Sequence, residues 1–144
     1  MENSEEVDKS FLPEELRHLD IAHRGSRYTV LYCEGAKDTY ESALGHIPKG
    51  RQSSIKARLR ALLKRLSDGN RLSQDNFPQE ANLPGKGNGR FRALKKIPIR
   101  VYMWLSKRYP SIYFISHCIF KNKNELAEAD KKIVCNNWRK LEEG

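Results

Sequence analysis

Polar and apolar residues alternate along three segments in the last third of the chain, which indicates β-strands at about residues 89–96, 99–106 and 111–121. Side by side, these strands predict a sheet with one apolar face and one cationic face that carries aromatic side chains. Such a cationic face is suited to holding RNA. The residues assigned to it are Arg90, Arg92, Arg100, Tyr102, Trp104, Tyr113, His117 and Lys121.

Apolar residues recur at helical spacing in the middle of the chain and near its end. The clearest helix is predicted over Ser53–Asp68, where five apolar residues share one side and Gly69 follows the last turn. The opposite side of this helix is basic, and we interpret it as a solvated face. The other predicted elements are helices at residues 10–25, 38–47 and 124–141, a strand at 27–33 and a long loop at 71–88.

These elements predict an α+β fold with a small antiparallel sheet of about four strands. A helical hairpin and a C-terminal helix are expected to pack on one face of that sheet. The 144 residues suffice for one modest core. Within the chain, residues 1–25 are interpreted as an acidic N-terminal extension that is partly helical, and residues 26–144 as the main domain.

The net charge is +9, and it is distributed unevenly. Residues 1–20 contain seven acidic and two basic side chains, a net of −5, so the rest of the chain carries +14. A basic body of this kind favours a polyanionic partner, with nucleic acid ahead of a membrane surface. A basic protein that is merely soluble is the alternative, and the charge alone leaves both open.

What the sequence lacks indicates a cytoplasmic protein without a cofactor. The acidic start of the chain has no apolar signal-peptide core, and no apolar run reaches the length of a membrane span. Cys33, Cys118 and Cys135 are odd in number and far apart, as is typical of reduced cytoplasmic thiols. The histidines show no metal-ligand spacing with these cysteines, so we expect no metal site.

Five sequence strings resemble a known family. Two belong to the predicted helical hairpin, Leu44-Gly-His-Ile-Pro48 and Leu66-Ser-Asp-Gly-Asn70-Arg-Leu72. Three belong to the predicted strands: Gly89-Arg-Phe-Arg-Ala-Leu94, Ile99-Arg-Val-Tyr-Met-Trp-Leu105 and Ile115-Ser-His-Cys-Ile-Phe-Lys121. In order and spacing they are similar to the RelE/ParE toxin superfamily, and most of all to its HigB-like, phage-derived branch. The resemblance covers about residues 27–138.

The resemblance implies a RelE-like fold and a toxin of a type II toxin–antitoxin system. Toxins of the ribonuclease branch cut mRNA in the ribosomal A site, where a ribose 2′-hydroxyl attacks the adjacent phosphate. We therefore expect a ribosome-dependent endoribonuclease that inhibits translation, with mRNA, the ribosome and an acidic helix-turn-helix antitoxin as partners. Two alternatives stay open: a non-nuclease inhibitory binding protein, such as the gyrase poisons of the same superfamily, and a plain nucleic-acid-binding module.

Four residues are assigned to catalysis: Arg100, His117, Arg92 and Lys121. Arg100 matches the family's mid-strand arginine, and a fixed cation there stabilises the charge that develops on the attacked phosphate. His117 can move a proton near neutral pH. The structural alternatives are an ion pair for Arg100, for example with Glu34, and a hydrogen bond to a backbone carbonyl for His117.

Six further residues are assigned to RNA binding, as cations for phosphates or as rings for unpaired bases. They are Arg90, Lys95, Tyr102, Trp104, Tyr113 and Lys123. Lys95 is included because the family usually has an acidic residue and then an arginine where this chain has Arg92 and Leu94, so Lys95 is the cation nearest to that arginine position.

Overall fold

The computed structural model describes residues 8–96, 98–121 and 126–144. Two features of the sequence analysis fall outside these ranges: Lys123, assigned to RNA binding, and the start of the last predicted helix at Asn124. The strands are β1 (Ile21–Arg24), β2 (Thr29–Tyr32), β3 (Gln79–Asn82), β4 (Arg90–Lys96), β5 (Ile99–Leu105) and β6 (Ile112–Phe120). The helices are α1 (Ala36–Leu44), α2 (Lys49–Ser67) and α3 (Glu128–Trp138), with a 3₁₀ turn at Glu14–Leu16 and a π-helical turn at Arg139–Glu143.

The six strands form one mixed sheet in the order β1-β2-β6-β5-β4-β3. The pair β2–β6 is parallel, and the other neighbouring pairs are antiparallel. The predicted antiparallel sheet of about four strands is therefore wrong. The prediction missed the parallel pairing of β2 with β6 and the two edge strands, β1 and β3. The edge strands have only four residues each and lie in segments predicted as a helix and a loop. Strands this short have too few positions for an alternating pattern to stand out.

The segment predicted as a helix over residues 10–25 contains the 3₁₀ turn and, after it, strand β1, and no part of it is an α-helix. Leu12, Leu16 and Leu19 have helical spacing, and all three are buried in the core although the chain around them is not an α-helix. Strand β1 pairs with β2. Residues 12–24 are thus part of the same folded unit as the sheet.

Helix α2 confirms the clearest helical prediction, although it begins at Lys49, directly after Pro48, and not at Ser53. A proline immediately before or within the first turn is compatible with a helix start, because the first N–H groups have no partner inside the helix. Four residues of the predicted apolar stripe are buried: Ile55, Leu59, Leu62 and Leu66.

None of the described helices is long and apolar enough to cross a membrane.

A β-bulge at Ser116 changes which residues of β6 share a face. Tyr102 pairs with His117, but the next residue, Met103, pairs with Ile115, so Ser116 is the extra residue of β6. The strict alternation predicted for residues 111–121 therefore breaks in mid-strand. His117 falls on the face of Arg100 and Tyr102, as predicted. On the other side of the bulge, Phe114 joins this face with Trp104, and Tyr113 leaves it.

Helices cover both faces of the sheet, so the prediction that they pack on one face is wrong. One face, which we call the α2 face, carries Val101, Met103 and Ile115 and is covered by α1 and α2. The opposite face, which we call the α3 face, carries Arg100, Tyr102 and His117 and is covered by α3. The buried α3 face thus includes the polar side chains of Arg100 and His117.

Candidate nucleic-acid interface

The α3 face contains four residues that the sequence analysis assigned to catalysis or RNA binding, and all four are buried. The exposed fractions are 2% for Arg100, 0% for Tyr102, 2% for Trp104 and 4% for His117. The aromatic rings of Tyr102 and Trp104 are therefore not available to stack on RNA bases in this structure, contrary to the open cationic face that the alternation predicted.

His117 joins strand β6 to helix α3 through a chain of hydrogen bonds. Its Nε2 lies 2.9 Å from Asp130 Oδ1, and its Nδ1 lies 2.9 Å from Ser116 Oγ. The amide of Asn137, about two helical turns beyond Asp130, donates to Ser116 Oγ at 3.0 Å and to the Ser116 carbonyl at 3.2 Å. This network assigns a neutral imidazole in which Ser116 Oγ–H donates to Nδ1 and Nε2–H donates to Asp130.

Burial lowers the pKa of His117 from its ordinary value of 6.5, and the hydrogen bond to Asp130 opposes that shift. The hydrogen bonds from Ser116 to His117 and from His117 to Asp130 have the same order as those of a nucleophilic triad. Ser116 and His117 are both buried, so a substrate has no approach to the Ser116 hydroxyl. In the observed arrangement this cluster fixes α3 on the sheet, and its polar groups form hydrogen bonds with one another.

Two acidic residues lie near the α3 face, Glu80 on strand β3 and Asp130 on helix α3, and the sequence analysis predicted neither of them there. Lys95 lies beside Arg100 in the β4–β5 register, and its Nζ lies 3.7 Å from Glu80 Oε2 on strand β3. Burial raises the pKa of Tyr102 to about 12, a shift that the negative charge of Asp130 increases and the positive charge of Arg100 decreases. The charge of the predicted face is therefore largely internal to the fold.

Arg90 and Arg92 lie on the α2 face, opposite Arg100, because Arg92 pairs with Met103 across β4 and β5. The prediction that these arginines share a face with Arg100 is therefore wrong. They line a groove of about 430 Å³ between the C-terminal end of α2, the segment 70–77 and strands β4 to β6. We call it the cationic groove; its lining residues are Leu66, Asn70, Arg71, Leu72, Gln74, Phe77, Leu83, Asn88, Gly89, Arg90, Arg92, Met103, Trp104, Leu105 and Tyr113.

Arginine and aromatic side chains are held against one another in the cationic groove. Arg92 Nη1 donates to the Phe77 carbonyl at 2.9 Å, and its guanidinium carbon lies 5.2 Å from the centre of the Phe77 ring. The Phe77 ring in turn meets Tyr113 edge to face, with centroids 6.4 Å apart. Arg90 Nε donates to Asn82 Oδ1 at 3.3 Å. These contacts fix the two strand arginines, since each has a hydrogen-bond partner.

The described residues that line the groove include three arginines and three amide side chains, and none of them is Asp or Glu. Arg71, Asn70 and Gln74 are exposed at its rim. Guanidinium groups bind phosphate oxygens, amides read the edges of bases, and aromatic rings stack on unpaired bases. This combination is suited to a single-stranded nucleic acid.

Trp104 and Lys121 differ in their relation to the groove arginines. The Trp104 ring packs against Phe114 on the α3 face, with centroids 5.4 Å apart, although the groove lining includes this residue. Lys121 lies half-buried directly after β6 and is not among the residues that line the groove. The lining of the groove therefore includes four of the ten residues assigned from sequence, namely Arg90, Arg92, Trp104 and Tyr113.

Sequence reasoning missed the contribution of residues 70–77, which it interpreted as the start of a long loop. Arg71, Gln74 and Phe77 lie in this segment, and each lines the groove. A cation, an amide and an aromatic residue close together in a polar loop were the available signal, because binding residues are often carried by loops. Asp130 and Asn137 were missed because the last helix was interpreted only for its apolar side.

Comparison with models of protein families, with curated proteins and with solved structures gives no match to this chain. In the part of the chain that the structure describes, no group of three or more His, Cys, Asp and Glu side chains could hold a metal ion.

Proposed function

We propose that this protein binds single-stranded RNA in the cationic groove and acts as a toxin of a type II toxin–antitoxin system that cleaves mRNA on the ribosome. The observation that carries the proposal is the cationic groove itself, where three arginines lie with Phe77 and Tyr113 and none of the described lining residues is a carboxylate. The resemblance to the HigB-like toxins adds the expectation of translation inhibition.

The arginines suit the chemistry of RNA cleavage by an internal 2′-hydroxyl. Attack on the adjacent phosphate builds negative charge on its oxygens, and a guanidinium near those oxygens stabilises that state more than the ground state. Arg92 is the strongest candidate for this role, because its contacts with Phe77 hold it in place before RNA arrives. Arg71 and Arg90 would then bind flanking phosphates.

A second candidate function is RNA binding without cleavage. It is favoured by the described lining of the groove, which contains no histidine or carboxylate to transfer a proton near neutral pH. In the nuclease proposal, the proton transfers have to be supplied by the RNA or the ribosome, which agrees with a ribosome-dependent reaction. In the binding proposal they are not needed.

The proposed toxin would act in the cytoplasm, where mRNA and ribosomes are, and would need a neutralising partner. An acidic antitoxin of the helix-turn-helix type, as the resemblance implies, would complement the +14 charge of the chain after residue 20. Such a partner laid over the cationic groove would compete directly with RNA.

The test is induced expression followed by mapping of mRNA 5′ ends, with translation running and with translation blocked. The nuclease proposal predicts new ends within translated regions that disappear when translation is blocked. An Arg71→Ala/Arg90→Ala variant should lose them, and Lys132→Ala, at an exposed residue of α3, should keep them. Growth arrest without new ends would support the binding candidate. Wild-type behaviour of the groove variant would contradict both.

A further inference from the structure

The carboxylate of Glu142, in the π-helical turn after α3, is held by four donors at the start of the β5–β6 connection. Its Oε2 accepts from Ser106 Oγ at 2.6 Å and from the indole Nε1 of Trp104 at 3.1 Å. Its Oε1 accepts from the backbone N–H groups of Lys107 at 3.0 Å and Arg108 at 2.9 Å. We call these four donors the β5–β6 nest.

The geometry of the β5–β6 nest is that of an oxyanion site. Two successive backbone N–H groups, a hydroxyl and an indole N–H converge on one anion, and successive backbone N–H groups form anion-binding concavities. The side chains of Lys107 and Arg108 are exposed and add positive charge beside it. A phosphate group offers the same kind of acceptor as a carboxylate with more oxygen atoms, so it fits the same donors.

The segment that fills the nest is held at the surface. Glu142 is only half-buried, and its bonds to the backbone of Lys107 and Arg108 are exposed to water. Besides Glu142, Arg108 contributes to holding the segment, since its Nη1 donates to the backbone oxygens of Leu141 and Gly144 at 3.2 and 2.6 Å. Contacts of this exposed kind open locally at lower cost than a buried core.

The nest lies next to the cationic groove. Leu105, which lines the groove, directly precedes Ser106 of the nest. The Lys107 ammonium donates to the Gly87 carbonyl, and the next residue of that loop, Asn88, is part of the groove lining. Trp104 and Ser106 alternate with Leu105 and so lie on the α3 side of β5, and an RNA strand that leaves the groove around the end of β5 reaches the nest.

We propose that the β5–β6 nest is a phosphate-binding site that Glu142 occupies in place of a backbone phosphate of RNA. Displacement of the Glu142 carboxylate admits the phosphate, so the segment after α3 weakens RNA binding while it stays in place. The RNA part of this inference rests on the proposed function; the binding of a phosphate group by the nest does not.

The test uses the full chain with Glu142→Ala, and with Glu143→Ala as the control that removes the same charge one residue away. Inorganic phosphate is titrated while the NMR signals of the Trp104 indole N–H and of the Lys107 and Arg108 amides are followed. Saturable shifts are expected in Glu142→Ala at phosphate concentrations that leave the wild type and Glu143→Ala unchanged. Ser106→Ala added to Glu142→Ala should weaken the response.

In a second arm, single-stranded RNA is titrated into the same variants. Glu142→Ala is expected to bind about tenfold more tightly than the wild type, the effect of about one charge-assisted hydrogen bond. Glu143→Ala should bind nearly as the wild type does. Equal gains in both glutamate variants would contradict the assignment, because they would reflect net charge alone.

The two arms separate the sources of phosphate. If phosphate shifts the NMR signals but RNA affinity does not increase, the RNA assignment is overturned and the nest is a site for a small phosphate compound. If no variant binds RNA, the proposed function is overturned, whereas the phosphate site in the nest is not. Absence of any phosphate response in folded Glu142→Ala would overturn the site. If Glu142→Ala does not fold, Glu142→Gln replaces it; failure of both to fold would also overturn the proposal, because Glu142 could then not make way for a ligand.

Discussion

His117 Nε2 and Asp130 Oδ1 are 2.9 Å apart, and their hydrogen bond joins strand β6 to helix α3 under cover from solvent. Because both side chains are buried, the bond is shielded from water and its loss leaves a buried polar group unsatisfied. The histidine chosen from sequence as a proton-transfer group is therefore, in this arrangement, a positioning residue for α3. Protonation of His117 should therefore change the free energy of unfolding.

We expect the free energy of unfolding to fall as the pH drops below about 6.5. Burial lowers the pKa of His117 below 6.5, so in acid the unfolded chain takes up a proton that the folded chain resists. The contribution of His117 is complete above pH 6.5 and decreases in acid. Urea unfolding between pH 5 and 8 measures it, as the difference between the wild type and His117→Gln.

The pH profile of His117→Gln should be flatter than that of the wild type on the acid side. His18→Gln, at an exposed ring, is the matched control and should keep the wild-type slope. Identical slopes for the wild type and His117→Gln would show that the imidazole is not held neutral by burial.

Arg100→Ala should lower the free energy of unfolding by about 2 kcal/mol or more, since it empties a buried site beside Tyr102. Arg71→Ala, at the exposed rim of the groove, should stay within about 0.5 kcal/mol of the wild type. Urea denaturation of the two variants gives the comparison. Full stability of Arg100→Ala together with lost toxicity would restore the catalytic role that the sequence assigned to this residue.

Much of the fold was predictable because long elements repeat their pattern many times. Strands β4, β5 and β6 agree within two residues with the alternating segments, and α2 has the predicted apolar stripe. Which residues of neighbouring strands share a face of the sheet was less predictable. Alternation shows which residues of one strand lie together, but it does not show which face of the next strand they join, and Arg92 illustrates this. The bulge at Ser116 adds a further shift that no periodicity reveals.

For the candidate site, the sequence indicates the residue types that line the cationic groove but not where in the fold they meet. The sequence singles out arginine and aromatic residues as a group, and their division between the two faces depends on the strand register. The acidic partners of the α3 face, Glu80 and Asp130, are brought by β3 and α3, and both contacts are long-range. Such pairs are set by tertiary packing, which local sequence patterns do not encode.

The three free thiols should differ in reactivity. Burial raises the pKa of Cys33 and of Cys118 to about 12 in each case, so neither forms the reactive thiolate near neutral pH. Cys135 is only partly buried. A thiol reagent at pH 7.5 is therefore expected to label Cys135 first in the native protein, with the other two labelled only on unfolding; mass spectrometry of the labelled peptides measures the order. Rapid native labelling of Cys118 would contradict the packing of α1 and α2 on the sheet.

The most direct measurement of the central claim is the affinity for a short single-stranded RNA over a series of salt concentrations. Each phosphate contact contributes about 0.7 to the slope of log affinity against log salt for single strands. The account predicts weaker binding and a slope smaller by about 1.4 for Arg71→Ala/Arg90→Ala, and little change for Lys132→Ala on the α3 side. A wild-type slope and affinity in the groove variant would contradict RNA binding in the cationic groove.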